Sequence, residues 1–275
     1  MTTAAFALGP ALLFCPADRP DRFQKALDRA DAVILDLEDA VAAADRPAAR
    51  IAVSESRLER SRVIVRINPA DSAEIAEDLG AVRASGYRTV MLPKAASPAE
   101  LRSIAAFDDS LAVIALCETA AGVAAARELA AEPNVTALMW GAEDLIASLG
   151  GTASRRADGR YRPVAEYARA AVLIAAGAAG KPAIDTVHLD IADTDGLAAE
   201  AEDAVASGFI ASACIHPSQV EPIRAAYRPS PRDLADARAV LAAAREHGGV
   251  FRLGDRMVDA PVLRHAEAVL RRARQ

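Results

Sequence analysis

At 275 residues and 52% hydrophobic content, the chain can build one large α/β domain or two ordinary ones around a full core. A net charge of −6 and an aromatic content of 4% disfavour both a phosphate-backbone binder and a stacking surface for single-stranded nucleic acid. The three cysteines (Cys15, Cys117, Cys214) have neither disulfide-framework nor zinc-site spacing, which fits a reducing cytosol.

The opening stretch MTTAAFALGPALLF lacks a basic segment and carries Pro10, so it does not read as a signal peptide. The first β-type run is LLFC (12–15), followed by a helical pattern over Arg19–Arg29 and a second run, AVILDL (32–37). RVIVRI (62–67) precedes a helix over Ala73–Ser85, and TVMLP (89–93) precedes one over Pro98–Ala106. LAVIALC (111–117) leads to a helix over Ala120–Ala131, and VTALMW (135–140) to one predicted over Glu143–Leu149. A longer helix spans Pro163–Ala179; its apolar stretch Ala170–Gly180, 11 residues, is too short to cross a membrane, and a cytoplasmic location is expected. DTVHL (185–189), a helix over Leu197–Ser207 and SACIH (212–216) complete the series.

Most of these runs are apolar throughout, as in parallel strands covered on both faces. Eight such strands alternating with helices predict a (β/α)8 TIM barrel. A doubly wound open sheet is the competitor, but it usually carries a Gly-rich phosphate loop after its first strand, and neither GxGxxG nor GxxxxGK[ST] occurs. The pattern ends near Tyr227. RPSPRD (228–233), a helix to about Glu246, the Gly248-Gly249 turn, an extended VFRLGDRMVDAP and a last helix from Val262 are surplus to a barrel. The expected organisation is therefore a barrel over 1–228 and an arm or lid over 229–275.

Barrels display catalytic groups where strands end. Here the ends read DLED (Asp36, Glu38, Asp39), RIN (Arg66, Asn68), PK (Lys94), CE (Glu118), GAED (Glu143, Asp144), HLD (His188, Asp190) and IHPS (His216, Ser218). Carboxylates converging without His or Cys partners suit a hard divalent cation, most often Mg2+, which takes one or two protein carboxylates and fills its shell with other oxygens. Glu118 and one acid of GAED are the candidates, with helix capping as the alternative for Glu143. Arg66, inside an apolar strand, needs an anionic partner: a structural acid such as Asp36, or a substrate carboxylate held in two-pronged fashion. Lys94 is open between the same two roles. His216 before Pro217 suits a loop-ordering hydrogen bond as well as proton transfer, His188 reads as a core residue within a strand, and the cysteines read as small apolar fillers.

Taken together, LLFCPADRPDRFQKA, VILDLEDAV, VIVRIN, VMLPKA, ALCETAAG, MWGAEDL, CIHPSQ and MVDAPVL resemble the citrate lyase beta-subunit/HpcH-HpaI aldolase group of phosphoenolpyruvate/pyruvate-type barrels, over residues 12 to 265. The likeness is greatest to stand-alone citrate lyase beta-like proteins related to citramalyl-CoA and malyl-CoA lyases. The resemblance implies Mg2+ on Glu118 and Asp144, a carboxylate-binding Arg66, and acyl-CoA contacts at Phe14, Lys25, Ile215 and His216, with Arg22 a weaker match. It also implies an acid/base Asp259, often donated by the next subunit of a homotrimer, and Asp36 and Asp39 as acids orienting metal-bound water. One departure is ADRPDR, where related lyases often carry GN or GS and then more lysines. The implied reaction is reversible cleavage of a β-hydroxyacyl-CoA (malyl-, citramalyl- or hydroxymethylglutaryl-type) into an acyl-CoA and a 2-oxo acid such as glyoxylate or pyruvate. Rivals are a malyl-CoA thioesterase on the same site, a citrate lyase beta subunit acting on a carrier-protein thioester, and a non-catalytic CoA or carboxylate sensor.

Overall fold

A computed structural model describes residues 8–273. The segment Met1–Ala7, part of the stretch examined for a signal peptide, lies outside the described residues. Eight parallel strands close into a barrel in sequence order: β1 (Ala11–Pro16), β2 (Ala32–Asp36), β3 (Val63–Arg66), β4 (Thr89–Leu92), β5 (Ala112–Cys117), β6 (Val135–Trp140), β7 (Ala183–Asp185) and β8 (Ala211–Cys214). The expected (β/α)8 barrel is the observed one. Among the described residues no helix is long and apolar enough to cross a membrane.

Successive side chains of a strand point to opposite faces, so alternate residues line the barrel interior. The inner cluster includes Leu12, Ile34, Ile64, Met91, Ile114, Leu116, Ala137, Met139 and Ile184. Continuing two residues from Leu12, Ile34, Ile64, Leu116 and Met139 arrives at Phe14, Asp36, Arg66, Glu118 and Gly141. The interior is aliphatic along its length and becomes polar at the carboxyl ends of the strands by this period-two rule.

Three expectations are corrected. The seventh strand is Ala183–Asp185 rather than 185–189, which places His188 beyond the strand in the following loop. It is nonetheless buried, with Nδ1 2.9 Å from Glu200 Oε2. The eighth strand ends at Cys214, because Gln219 Oε1 accepts the N–H groups of Ile215 (3.0 Å) and His216 (3.2 Å) and turns the chain out of the ladder. The helix over 120–131 is two short ones, Ala120–Ala124 and Ala126–Ala131.

A helix over Arg46–Glu55 was not anticipated, because its inner face presents Arg50 between Ala49 and Val53 instead of an apolar residue. Arg50 is buried against acids of the helix Ile75–Ser85 and its approach, with Nε 2.7 Å from Asp78 Oδ1, Nη1 2.6 Å from Glu77 Oε2 and Nη2 bonded to Glu74. All three cysteines are buried. Burial pushes the thiols of Cys15 and Cys117 up to about 11 and about 12, as expected of fillers rather than nucleophiles.

The chain divides into two compact units, the first closing at Ile223 and the second opening at Arg224. The second unit pairs helices Pro231–Glu246 and Ala260–Arg272 with an antiparallel hairpin of β9 (Phe251–Leu253) and β10 (Arg256–Val258). Its own core gathers Ala237, Val240, Val258, Ala266 and Val269. Ser230 and Asp233 form a capping box that starts the first helix, and Gly254 (φ 61°) supplies the left-handed residue the hairpin turn needs.

Candidate active site at the carboxyl ends of the strands

Register decides which polar groups meet. Asp36 and Arg66 are paired residues of the β2–β3 ladder, and Cys117 pairs with Trp140 between β5 and β6, so Glu118 and Gly141 follow side by side. A Cβ at Gly141 would lie 2.7 Å from Glu118 Oε2 and 2.8 Å from Glu118 Cβ. Glycine ends this strand because Glu118 occupies the space a side chain would need.

Arg66 is held from several sides. Nε donates to Asp36 Oδ1 at 2.7 Å and Nη2 to Asp36 Oδ2 at 2.6 Å, while Nη1 lies 3.0 Å from Glu38 Oε2. Its guanidinium carbon sits 4.9 Å from the centre of the Phe14 ring. Burial alone would lower its pKa, but the bond to Asp36 and the charges of Asp36, Glu38 and Glu118 raise it. Both oxygens of Asp36 are engaged further, by the backbone N–H of Glu38 (3.0 Å) and of Ala40 (3.1 Å). Four donors on one carboxylate make Asp36 the holder of Arg66 and of the loop after β2. Asp39 is exposed, with its Oδ2 3.7 Å from Lys94 Nζ.

Glu118 is buried at the end of β5 and accepts the backbone N–H of Lys94 at 3.1 Å on Oε1. Burial, together with the nearby charges of Asp144 and Glu38, pushes its carboxyl up to about 8, against the opposing pull of Arg66 and Lys94. Asp144 stands in the first turn of the helix Ala142–Ser148 with 37% of its side chain exposed. Its neighbour Glu143 turns elsewhere and accepts the hydroxyl of Ser154 at 2.5 Å. Glu118 and Asp144 are therefore two hard oxygen donors that both touch Lys94, one buried and under repulsion from other acids, the other open to solvent. A divalent cation fits that set, because it relieves the repulsion directly. Among the described residues no three His, Cys, Asp or Glu side chains gather as a ready cage, and a magnesium ion commonly takes only one or two protein carboxylates.

Two strand-end residues carry more than their sequence suggested. Glu38 is buried between Arg66 and Lys94, accepting Lys94 Nζ at 2.5 Å on Oε1, and burial raises its pKa. Lys94 pairs with neighbouring acids, the first of its two open roles. The signal was present in DLED, where the middle acid follows Asp36 by two and so shares its face of an extended chain.

Phe14 is half-buried at the end of β1, and β1 pairs directly with β8, after which come Ile215 and His216. Lys25 is exposed on the helix Pro20–Arg29 that follows β1. His216 Nδ1 lies 2.7 Å from Ser218 Oγ and accepts the Ser218 N–H at 3.2 Å, the loop-ordering arrangement. In the second unit, Asp259 caps the helix Ala260–Arg272, accepting the Val262 N–H at 3.4 Å. A cavity of about 960 Å³ opens beside β7, lined by Glu143, Arg155, Arg169, His188 and Glu200, but it includes neither Glu118 nor Asp144. Its charges are largely paired among themselves, Arg155 with Glu200 and Arg169 with Asp185.

A closed parallel barrel whose strand ends collect acids around one arginine and one lysine has the layout of a barrel enzyme. The HpcH/HpaI aldolase/citrate lyase model matches residues 11–217, and the chain belongs to that family. It is 55% identical over 267 residues, 97% of this chain and 96% of the other, to a citrate lyase subunit beta-like protein of Mycobacterium tuberculosis. It is 34% identical to a (3S)-malyl-CoA thioesterase of Cereibacter sphaeroides, with 95% of this chain and 92% of that one covered. Among solved structures, CitE from Mycobacterium tuberculosis in complex with magnesium, acetoacetate and coenzyme A superposes with a TM-score of 0.92 at 54% identity, covering 98% of this chain and all of that one.

Proposed function

We propose that this chain is a Mg2+-dependent carbon–carbon lyase that reversibly cleaves a β-hydroxyacyl-CoA of the citramalyl, malyl or hydroxymethylglutaryl type into an acyl-CoA and a 2-oxo acid. The observation that carries the reading is the pair of acids Glu118 and Asp144, both in contact with Lys94, with the charge of Arg66 reaching Glu118. The magnesium, acetoacetate and coenzyme A held by the mycobacterial CitE supply the ligand classes.

In this reading Glu118 and Asp144 hold the ion, which supplies Lewis-acid chemistry to the oxygens of the 2-hydroxy-acid end. Arg66 binds the carboxylate of that end. Asp36 keeps the guanidinium in one orientation before substrate arrives, so little ordering remains to be done at the moment of reaction. Phe14, Ile215 and His216, at the ends of the adjacent strands β1 and β8, together with Lys25, bind the CoA portion. Cleavage breaks the carbon–carbon bond as the hydroxyl gives its proton to solvent and becomes the 2-oxo group. The electron pair stays on the acyl-CoA as an enolate, whose α-carbon Asp259 protonates, and in the condensation direction the same carboxylate removes that proton. The barrel thus carries the metal and acyl-CoA sites and the arm the acid, in a homotrimer whose subunits lend one another Asp259.

Incubation with malyl-, citramalyl- and hydroxymethylglutaryl-CoA, in Mg2+ or in EDTA, tests the reading. Acyl-CoA plus a 2-oxo acid, formed only with Mg2+, is the expected result, and full turnover in EDTA would sink the metal assignment. The thioesterase relative supports a second reading, hydrolysis on the same site, which predicts free CoA and a hydroxy acid instead.

A further inference from the structure

Lys94 is the only non-glycine residue with a left-handed backbone among the described residues, at φ 52°. A lysine gains nothing from that conformation by itself, so its contacts must hold it there. The turn aims its backbone N–H at Glu118 Oε1, 3.1 Å away, and sends its ammonium to the other side of the acid group. Nζ lies 2.5 Å from Glu38 Oε1, 3.5 Å from Asp144 Oδ1 and 3.7 Å from Asp39 Oδ2. One residue thereby touches four carboxylates, the two assigned to the metal ion among them.

The contacts differ in kind. The bond to Glu38 is short and its partner is buried, whereas Asp144 and Asp39 are looser, partly exposed ion pairs that solvent weakens. An ammonium that close to Asp144 also repels a dication brought to the same oxygen.

We infer that Lys94 is a positioning residue that stands in for the divalent cation: its ammonium neutralises Asp144 while the ion is absent and yields Asp144 to it on binding. Throughout, it stays on Glu38, and its backbone keeps Glu118 aimed. The inference rests on Glu118 and Asp144 being the metal pair.

The test is Mg2+ titration of the full chain by calorimetry without substrate, so that turnover plays no part. Lys94→Met removes the competing charge and is expected to bind Mg2+ about tenfold tighter than the native chain, the scale of a unit charge acting on a dication a few ångströms away in a solvent-like medium. Lys94→Arg keeps the charge and is expected to stay within about threefold of the native affinity. Lys94→Met should also melt earlier in EDTA and gain more from added Mg2+, since the acids then lack their internal counter-charge. Equal or weaker binding by Lys94→Met would overturn the inference while leaving the metal pair intact. Failure of both proteins to bind Mg2+ would overturn the metal pair and this inference together. Should the variant not fold, crystals of the native chain with and without Mn2+ decide: Nζ must leave Asp144 and remain on Glu38, and an unchanged contact with Asp144 refutes the idea.

Discussion

Asp36 and Arg66 are register partners on β2 and β3, joined by two hydrogen bonds of 2.7 Å and 2.6 Å. The pairing turns a costly buried guanidinium into a rigid one. Removing one partner leaves the other charge buried, which costs about 3–5 kcal/mol in the usual case. Asp36→Ala is expected to lie nearer the lower end of that range, because Glu38 remains beside Arg66. Urea unfolding of the two proteins measures the difference. Arg66→Lys is expected to retain the fold and lose most of the lyase rate, since one ammonium cannot reproduce a planar two-pronged contact.

Gly141→Ala tests the close approach of β6 to Glu118. The added Cβ would meet Glu118 Oε2 at 2.7 Å, so the carboxylate must move. The backbone there is extended (φ −132°) and accepts alanine without strain. The expected outcome is a modest stability loss of about 1–3 kcal/mol from overpacking. The accompanying fall in Mg2+ affinity should be far larger than that loss explains. A calorimetric titration indistinguishable from that of the native chain would refute it.

The raised carboxyl of Glu118, about 8 in the folded chain against an ordinary value of 4.5, sets a pH dependence. Between those two values the folded state holds a proton that the unfolded state has released. Stability without metal therefore falls as pH rises from 4.5 to about 8 and levels off above it. Mg2+ must displace that proton, so its affinity should rise with pH up to about 8, by at most about tenfold per unit, with proton release visible in buffers of different ionisation enthalpy. Glu118→Gln should melt higher than the native chain in EDTA at pH 8, and should lose both Mg2+ binding and lyase activity.

Asp259→Asn separates chemistry from architecture. Asp259 caps the helix Ala260–Arg272, and asparagine caps about as well as aspartate. The melting temperature should hardly move, while the lyase rate falls by about 10²–10⁴, the usual contribution of a positioned acid or base. An unchanged rate would remove Asp259 from the reaction. Asp259→Ala, by contrast, should also lose about 1 kcal/mol of stability with the cap.

Much of this site was legible in the order of residues because strands end in chemistry: DLED, VRIN, PK, CE and GAED each mark the place where an apolar run leaves the core. The choice between neighbouring acids was not legible from composition. Glu143 and Asp144 differ by one position on a helical first turn, and a rotation of about 100° sends one to Ser154 and the other toward Lys94. His188 was misplaced for a related reason, since a buried loop histidine paired with Glu200 looks in sequence like a continuation of an apolar strand.

The sequence by itself determined the eight-strand alternation, the polar strand ends and the surplus tail, because local periodicity and turn residues carry that information without reference to distant partners. Only the tertiary structure decided that Arg66 belongs to Asp36 through the register of β2 and β3, that Gly141 makes room for Glu118, and that Lys94 bends into a left-handed turn to reach four acids. Those relationships join residues 23 to 56 positions apart, and only the pairing and order of the strands in the barrel bring such residues into contact.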